Sequence, residues 1–600
     1  MKLCSEENLN LKDIQSLITE GVDLNCVNKS GTTPLLQLIQ RMGTDKSRQG
    51  REEQINNFEK VFEQFLLYGV NINYTTPDGQ NVLLSLTRYY SEENLINLIR
   101  CLIQHGVDVN CKGTYGCNAL LNVCANYNRR NLIDIIRFLI ERGIDANCSS
   151  QDGSNALSVV CSHYRHDNLI DIVHLLIDRK IDINGKSKQG WNSLMSLCFK
   201  YSHGNLKDIV SLLVDHGIDI NCTNNNGMNA LLFLCANYVN ENLIDIVRLL
   251  VDHGIDINCT NNYGMNALLF IFKNYVSENL INIVRLLVER GIYINAKNKF
   301  DGFNALLSIC RNCSLANLKD LVEYLLHHGI DVNSTTTGKW NALHSLCKNY
   351  SQENLCDVAK LLIERGIDLN AKNEKGSDAL LLLCEYYSHY RAIDVIRLFF
   401  DHGADVTSVD NDGFNALLCL CRNYPHTNLI DLIKLLVDNG IDLKRKNNGG
   451  TTALMLVCAN YSQTNLIDVI RFLIDGGIDV NCTSQDGWNA LLYLCASSVQ
   501  YGLIDVIKLL IDSGIDVNCR NNEGFNAFML LCQCYTKRDL IELFQLLIDN
   551  EIEVDLNFVS KHGSDVYSMI RKNYKDEHFL ENVFTFLLPF HRSECLSIAL

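Results

Sequence analysis

Two kinds of apolar segment alternate along the chain. The first begins with Gly-x-Asn-Ala-Leu, or a near variant, and continues as an apolar run. The second is represented by NLIDIVRLLVDHG, from Asn242 to Gly254. Its polar residues Asp245, Arg248 and Asp252 are three and four residues apart, as on one face of a helix, and the positions between them are apolar. A helix with so narrow a polar stripe needs apolar neighbours on both flanks.

Both segments are predicted to be helices with defined ends. Asn229 begins the first and Asn242 the second, and asparagine is a preferred helix N-cap. Asp245 follows near the positive end of the second helix, and Gly254 is typical of the left-handed residue that ends one. The Asn/Asp-rich, Gly-ended stretch DINCTNNNG between successive pairs predicts a projecting turn, called a finger below.

The helix pair recurs along nearly the whole chain. Residues 216–238 and 253–275 share 19 of 23 residues and start 37 residues apart. The first asparagine of the motif recurs at this step, with one step of 38, and Asp378 and Thr452 replace it in two repeats. The other repeats have it as Asn81, Asn118, Asn155, Asn192, Asn229, Asn266, Asn304, Asn341, Asn415, Asn489 and Asn526. Burying a leucine is worth roughly 1.5–3 kcal/mol, and these helices bury theirs only between stacked units, so no unit is expected to fold singly.

This repeated pattern of two helices and a turn resembles the ankyrin repeat. LLIERGIDLN, from Leu361 to Asn370, matches the second half of that motif, and the family's Thr-Pro-Leu-His appears as TTPLL, with Thr33 and Pro34. The repeat is longer than the usual length of about 33 residues, and the extra residues fall between Cys235 and Asn242. The resemblance implies an all-α fold, an α-solenoid of stacked ankyrin-like helix–turn–helix repeats with projecting β-turn or hairpin fingers.

The register of the repeats predicts four regions within one continuous curved solenoid. No Gly/Ser/Pro-rich linker divides them. In the last, Arg571 replaces a buried cysteine and Pro589 ends the helix, as suits a capping repeat with a polar outer face. The regions are an N-terminal capping half-repeat at 1–28, a first repeat at 29–75 with a polar insert at 43–54 expected to be a loop, thirteen repeats at 76–557, and a degenerate C-terminal capping repeat and tail at 558–600.

Charge and hydropathy exclude several classes of protein. The net charge of −16 and the pI of about 5.5 argue against general nucleic-acid binding, which needs a basic surface. The N-terminus MKLCSEENLNLKDIQ lacks the apolar core of a signal peptide, and no apolar run approaches the ~18 residues of a membrane span. The chain is therefore expected to be intracellular, in the cytoplasm or the nucleus, and monomeric.

The 26 cysteines follow the repeat. Equivalent residues in stacked helices lie roughly 8–10 Å apart, whereas a disulfide needs α-carbons within about 7 Å. The cysteines are therefore predicted to be small buried apolar residues in a reducing compartment. One repeat position holds Cys124, Cys161, Cys198, Cys235, Cys310, Cys347, Cys384, Cys421, Cys458, Cys495 and Cys532, and a second holds Cys26, Cys111, Cys148, Cys222, Cys259, Cys482 and Cys519.

Catalytic and metal-binding motifs are scarce. No phosphate loop, dinucleotide fingerprint or nucleophile elbow occurs. CRNC at 310–313 is a single C-x-x-C, and Cys161 lies near His163 and His166, but zinc needs four ligands and both cysteine groups include the buried position. The Asp of GID, such as Asp219, recurs too often for a catalytic role and is predicted to be a turn residue. No catalytic residue, metal or cofactor is predicted. A metal- or redox-dependent enzyme is kept as an alternative function of a different class from a binding protein.

Two repeat positions vary where the others stay constant, and variable positions are those free to meet a partner. The finger-base position, just before the first asparagine, holds all three tryptophans. The inner-helix position follows the buried cysteine. In ankyrin-like folds both face the concave side, so the resemblance implies a groove lined by apolar and basic side chains. The candidate partner-binding residues are Trp191, Met228, Met265, Phe303, Trp340, Phe414, Trp488 and Phe525 at the first position, and Lys273, Arg311, Lys348 and Arg422 at the second.

Two simpler interpretations remain open. The apolar side chains at the finger-base position can pack on adjacent fingers, and the charged side chains at the inner-helix position can be scattered and solvated. The predicted function is a non-enzymatic protein–protein interaction scaffold. Its repeats from about Gly227 to Gly440 would hold an extended or helical partner segment bearing acidic and apolar residues. An alternative is a substrate-recognition adaptor for a ubiquitin ligase, which needs a recruiting module at the C-terminus. Residues 581–600 resemble neither an F-box nor a SOCS box.

Overall fold

The computed structural model describes residues 11–44, 51–113, 115–201, 204–237, 243–274, 280–312, 317–349, 355–386, 391–497, 502–560 and 563–590, and these form an all-α fold. The helices are α1 (Leu11–Thr19), α2 (Pro34–Thr44), α3 (Arg51–Leu67), α4 (Val82–Tyr89), α5 (Leu95–Gln104), α6 (Ala119–Asn126), α7 (Leu132–Glu141), α8 (Ala156–His163), α9 (Leu169–Asp178), α10 (Ser193–Lys200), α11 (Leu206–Asp215), α12 (Ala230–Asn237), α13 (Leu243–Asp252), α14 (Ala267–Asn274), α15 (Leu280–Glu289), α16 (Ala305–Arg311), α17 (Leu318–His327), α18 (Ala342–Asn349), α19 (Leu355–Glu364), α20 (Ala379–Tyr386), α21 (Ala392–Asp401), α22 (Ala416–Asn423), α23 (Leu429–Asp438), α24 (Ala453–Asn460), α25 (Leu466–Asp475), α26 (Ala490–Ala496), α27 (Leu503–Asp512), α28 (Ala527–Cys534), α29 (Leu540–Asp549), α30 (Val566–Asn573) and α31 (Glu577–Leu587).

The chain divides into two compact units, unit 1 at residues 1–296 and unit 2 at residues 297–600, and both are built from stacked helix pairs. In unit 1 the inner helices α4, α6, α8, α10, α12 and α14 pack in succession, and the outer helices α5, α7, α9, α11, α13 and α15 form a second row. Unit 2 repeats this arrangement from α16 onward. The prediction of a stacked helix–turn–helix fold is confirmed within each unit, and that of one continuous solenoid stays a prediction.

The first asparagine of the motif joins two repeats. In Asn118, which is fully buried, Oδ1 accepts a hydrogen bond from the main-chain N–H of Leu121 at 3.0 Å and so caps α6 as predicted. Its Nδ2 donates to the main-chain oxygen of Asp145 in the next repeat at 2.9 Å. One buried side chain therefore completes a helix terminus and links it to its neighbour. Both bonds recur at Asn155, Asn192, Asn229, Asn266, Asn341, Asn415, Asn489 and Asn526.

The asparagine that ends the IDIN segment makes a second link. Asn147 Oδ1 accepts from the main-chain N–H of Asp182 at 2.7 Å, and its Nδ2 donates to the main-chain oxygen of Lys180 at 3.2 Å. The aspartate two residues earlier closes a local turn: Asp219 Oδ1 accepts from the N–H of Asn221 at 3.2 Å. The turn role predicted for this aspartate is confirmed, and the asparagine of IDIN holds consecutive fingers in register.

The predicted capping of the outer helices is wrong. Asn242 lies outside the described residues, but its equivalent Asn168 has φ −80° and ψ 15° and makes no side-chain cap bond. A capping residue is extended, whereas this backbone has already turned towards the helix. Asn168 instead accepts from the Tyr164 hydroxyl at 2.8 Å and donates to the Arg130 main-chain oxygen of the preceding repeat at 2.9 Å. The tyrosine that closes α8 therefore holds the lengthened loop.

One segment of the first repeat differs from the prediction, and the other predicted region boundaries stay predictions. Residues 43–54 were expected to be a loop, but α2 continues to Thr44 and α3 begins at Arg51; residues 45–50 lie outside the described part. Glu52 and Glu53 in the first turn of α3 favour the positive end of the helix, which explains why this segment is helical. At the other end α31 stops at Leu587, and a short 3-10 helix at Leu588–Phe590, which contains Pro589, follows it directly.

The loop bond leads to a local stability prediction. Tyr164 is 1% exposed. The substitution Tyr164→Phe therefore keeps the buried ring but removes the hydroxyl that donates to the side-chain oxygen Oδ1 of Asn168. We expect a loss of about 1 kcal/mol in the local free energy of opening at the α8–α9 loop, measured by amide hydrogen exchange. Tyr115→Phe, at a ring that is 60% exposed, is the control. Unchanged exchange at this loop in the Tyr164 variant would contradict the assignment.

Asp378 provides a second prediction, because a carboxylate stands where other repeats have the bridging asparagine. Asp378 Oδ1 caps α20 through the N–H of Leu381, but Oδ2 is buried with no hydrogen-bond partner in the described structure. Ser408 is the neighbouring residue whose hydroxyl could donate to Asp378, but it does not reach hydrogen-bonding geometry with this carboxylate. Burial raises the pKa of Asp378, and Ser408 opposes this shift. We expect Asp378→Asn to stabilise unit 2 by about 1–3 kcal/mol at neutral pH, because an amide can donate to the next repeat.

The pH dependence of this gain has a definite sign. Because the folded-state pKa is raised, ionised Asp378 costs stability above that pKa, and the cost vanishes as pH falls below the unfolded value. The advantage of Asp378→Asn over the natural chain should therefore shrink on acidification, as followed by urea unfolding. The matched reverse change, Asn415→Asp, should destabilise the same unit at neutral pH. Equal stability of the Asp378 variant and the natural chain at neutral pH would refute the argument.

Candidate functional site

A groove of about 740 Å³ runs along the inner helices and finger bases of unit 1, and we call it the inner groove. Both variable repeat positions line it, so the two positions that differ between repeats share one surface. Its lining includes Gln80, Cys117, Ser154 and Trp191 at the finger-base position, and Arg88, Ala125, Ser162 and Phe199 at the inner-helix position.

The two positions meet because of their spacing. The finger-base residue precedes the asparagine that caps the inner helix, and the inner-helix residue comes about two turns later on the same face. The Trp191 and Phe199 ring centroids are 5.4 Å apart, and the guanidinium carbon of Arg311 lies 5.1 Å from the Phe303 ring centroid. Each repeat thus contributes a pair of neighbouring variable side chains to the inner face of its unit.

An aromatic cluster forms one end of the inner groove. Trp191 stacks on Phe233 of the next repeat with ring centroids 4.6 Å apart, and Phe199 lies edge-on to Phe233 at 5.3 Å. Phe233 is 5% exposed, Phe199 is 37% exposed and Trp191 is half-buried. The buried ring therefore holds the other two in place while they still present apolar surface to the groove.

The centre of the groove is polar. Ser154 donates to the Asp152 carboxylate through its main-chain N–H at 3.2 Å and its hydroxyl at 3.1 Å, and the Ser150 hydroxyl donates as well. Burial by itself raises the pKa of Asp152, but the hydrogen bonds from Ser150 and Ser154 outweigh burial and hold this pKa below its ordinary value. Asp152 is therefore ionised and already satisfied within its own finger. Lys200 lies over Phe199, with Nζ 5.7 Å from the ring centroid.

In unit 2 the same positions hold aromatic rings with cations over them. Lys348 Nζ lies 5.0 Å from the Trp340 ring centroid and 5.4 Å from that of Tyr386. Arg422 lies 4.4 Å from the Phe414 ring centroid and also pairs with Glu385 at 2.8 Å. Of the four cations predicted to form a basic row, Arg311, Lys348 and Arg422 therefore make cation–π contacts, and Arg422 is partly neutralised.

The candidate residues differ in what they offer to a partner. Trp191, Met265, Phe303, Trp340 and Trp488 are half-buried, and Lys273, Arg311 and Lys348 are exposed. Met228, Phe414 and Phe525 are only 8, 8 and 5% exposed, as the packing alternative expects for these three. Phe525, for example, lies 4.8 Å from the ring of Phe558 in the next finger. Partner contact by any of these residues stays a prediction.

Other residues of the inner faces were missed from sequence. Tyr386 and Lys200 lie two residues after the buried cysteine, a position that is asparagine in most repeats. These departures from asparagine were the available signal. Phe233 had no such signal, because an apolar residue within an apolar helix gives no sign of which neighbour it touches. Gln80 holds the finger-base position of its repeat, and nothing in its local sequence signals that it is buried.

Two buried groups that could carry chemistry, the thiol of Cys124 and the imidazole of His344, are engaged in packing or capping. Burial raises the pKa of Cys124 to about 12, so this thiol stays protonated and unreactive. Burial lowers the pKa of His344 to about 4, and its neutral ring accepts from the Asn341 N–H and donates to the Ala371 main-chain oxygen. The described residues contain no cluster of three or more potential metal ligands. Cys310 is buried, and Cys313 lies outside the described part.

A family model of ankyrin repeats in three copies matches the chain in overlapping segments that together span residues 54–558. The chain belongs to the ankyrin repeat family. Ankyrin repeats are generally protein–protein interaction modules. Comparison with curated proteins gave no match. Of the helices described, none combines the length and apolar character needed to cross a membrane. The segments that match are 54–149, 121–224, 197–298, 274–373, 310–410, 349–447, 381–484, 426–521 and 457–558.

The half-buried state of the tryptophans can be measured directly. Trp191, Trp340 and Trp488 are the only tryptophans of the chain, so its indole emission reports on the inner faces alone. We expect acrylamide to quench the folded protein, more weakly than the chain unfolded in guanidinium chloride. Each single Trp→Phe variant should remove part of the quenchable emission. Emission typical of fully buried indole, insensitive to acrylamide, would mean that none of the three can meet a partner.

Proposed function

We propose that this ankyrin-repeat protein is a non-enzymatic scaffold that binds a segment of a partner protein on the inner faces of its repeats. The observation that carries the proposal is the convergence of the two variable positions on one surface of each unit. The constant positions link and pack the repeats, so they leave the inner face as the part of each repeat free to differ. A surface that varies from repeat to repeat provides sequence-specific recognition without a catalytic centre.

The inner face of unit 2 supports a partner segment with apolar and acidic residues. Arg311 and Lys348 are exposed, and the rings of Phe303 and Trp340 limit their motion. A cation already ordered by a ring loses less conformational entropy when a carboxylate binds it. The half-buried rings beside these cations supply apolar surface, and aromatic and arginine side chains dominate binding energy at many interfaces.

Two other functions have less support. A ligase adaptor requires a recruiting surface in addition to the inner faces, and nothing in the described residues favours one; residues 591–600 lie outside that part. An enzyme requires an accessible nucleophile or base. The titratable groups considered above, the thiol of Cys124 and the ring of His344, are buried and serve packing or capping instead.

Photo-crosslinking tests the scaffold function. A benzophenone amino acid is placed singly at Arg311 or Lys348 on the inner face of unit 2, and at Lys360 or Lys434 on its exposed outer helices. We expect discrete crosslinked partners from the inner positions in cells, because a partner segment lies against them. Adding Trp340→Ala should reduce these crosslinks while the helical circular dichroism is retained. Equal crosslinking from inner and outer positions would contradict the proposed function.

A further inference from the structure

We propose that the inner groove of unit 1 binds an extended, acidic peptide segment of a partner protein, which places one bulky apolar side chain against Trp191 and Phe199. The inference rests on the proposed function and names the partner chemistry for one unit. It depends on a buried polar group, an ordered aromatic cluster, a hollow between them and the charge of the groove.

The buried polar group is the amide of Gln80 at one end of the groove. Gln80 is 6% exposed and lines the groove, and its Oε1 has no hydrogen-bond partner in the described structure. Its main chain is fixed, since Gln80 N–H donates to the Thr76 hydroxyl at 2.9 Å and Gln80 O accepts from Thr76 N–H at 2.8 Å. A Cβ on Gly113 would lie 3.2 Å from Gln80 Nε2, so the glycine leaves room for the amide.

An unpaired buried acceptor destabilises a protein unless a donor reaches it. The last torsion of a glutamine side chain has broad minima, so the Gln80 amide can turn its oxygen towards the groove. A backbone N–H of a bound peptide is a donor of the right kind. An extended peptide has N–H groups free along its length, whereas a helix uses most of its own internally. The Gln80 amide therefore favours an extended occupant over a helical one.

The aromatic cluster defines the other end. Trp191 and Phe199 are ordered by Phe233 and keep exposed surface, so an apolar side chain can bind there without first ordering the rings. Between the ends the variable positions are small: Cys117, Ala125, Ser154 and Ser162. In unit 2 the corresponding positions include the larger residues Phe303, Arg311, Trp340 and Lys348. The hollow in unit 1 is thus a consequence of small residues beside a large aromatic cluster.

The charge of the groove selects an acidic segment. Arg88 lines it on the Gln80 side, and Lys188 and Lys200 line it on the Trp191 side. The acidic residue among its lining side chains, Asp152, is held by Ser150 and Ser154 of its own finger. The chain as a whole carries −16, so a locally cationic groove attracts acidic segments that the rest of the surface repels.

The span of the groove sets the length of the segment. Gln80 and Trp191 are three repeats apart, and stacked helices are separated by roughly 8–10 Å. The distance of roughly 25–30 Å corresponds to about eight or nine extended residues at ~3.3 Å each. A nine-residue peptide is therefore a suitable probe.

The test uses a displayed library of random nine-residue peptides, selected on the full chain, and then the enriched peptide labelled with fluorescein. We expect enriched peptides to be acidic and to share one bulky apolar residue, and their affinity to fall with added salt. Trp191→Ala should weaken binding about tenfold or more, and Phe199→Ala, at a more exposed ring, should weaken it as well. Lys200→Glu, at an exposed residue, should weaken binding with the fold intact. Gln80→Leu should weaken binding without lowering thermal stability, because the leucine needs no donor.

Matched variants in unit 2 separate the possible failures. Trp488→Ala and Lys348→Glu should leave peptide affinity unchanged. If these two abolish binding while the variants at Trp191 and Lys200 do not, the scaffold function stands and the inference for unit 1 falls. If no peptide is enriched, the inference falls, and the crosslinking experiment decides the proposed function independently. Unchanged affinity in Gln80→Leu refutes the extended-backbone contact, and equal competition by a single-stranded oligothymidylate refutes a peptide occupant.

Discussion

The fold depends on a buried asparagine that belongs to two repeats at once. Its carbonyl oxygen caps an inner helix, and its amide donates to the main chain of the next repeat, as Asn118 does towards Asp145. Serine, threonine or aspartate can cap the helix equally well, but none of them, in its ordinary ionisation state, offers an amide-like donor that reaches onward while its oxygen caps. The buried polar groups of a finger are thus satisfied only when the neighbouring repeat is present, and stacking is required by hydrogen bonding as well as by burial of leucines.

Because of this constraint, some positions of the repeat serve structure and others are free to vary. Asparagines, leucines, the buried cysteine and the closing tyrosine are used in linking and packing, so they differ little between copies. The finger-base and inner-helix positions take no part in the asparagine links and carry side chains from Ser154 to Trp340. The additional residues of this long repeat also serve structure, because Tyr164 and Asn168 tie the lengthened loop to the preceding repeat.

The same variable positions carry different side chains in the two units. In unit 1 small residues beside the Trp191 cluster leave a hollow, and in unit 2 rings such as Trp340 lie under the cation of Lys348. A hollow with an ordered aromatic end accepts a side chain from outside, whereas a ring beneath a cation presents a firm charged surface. The inner faces of the two units therefore differ in side-chain volume at a few variable positions.

The sequence by itself determined the period, the helix pairs, the capping role of Asn229 and its equivalents, and the burial of the cysteine position, because each of these depends on local spacing or on a residue's own chemistry. Only the tertiary structure decided which contacts cross between repeats. Asn168 has the side chain of a cap, yet its backbone angles and the Tyr164 hydroxyl assign it another role. Burial of the Gln80 amide and support of Trp191 by Phe233 likewise depend on residues a repeat or more away, and a pattern read along one chain does not contain those distances.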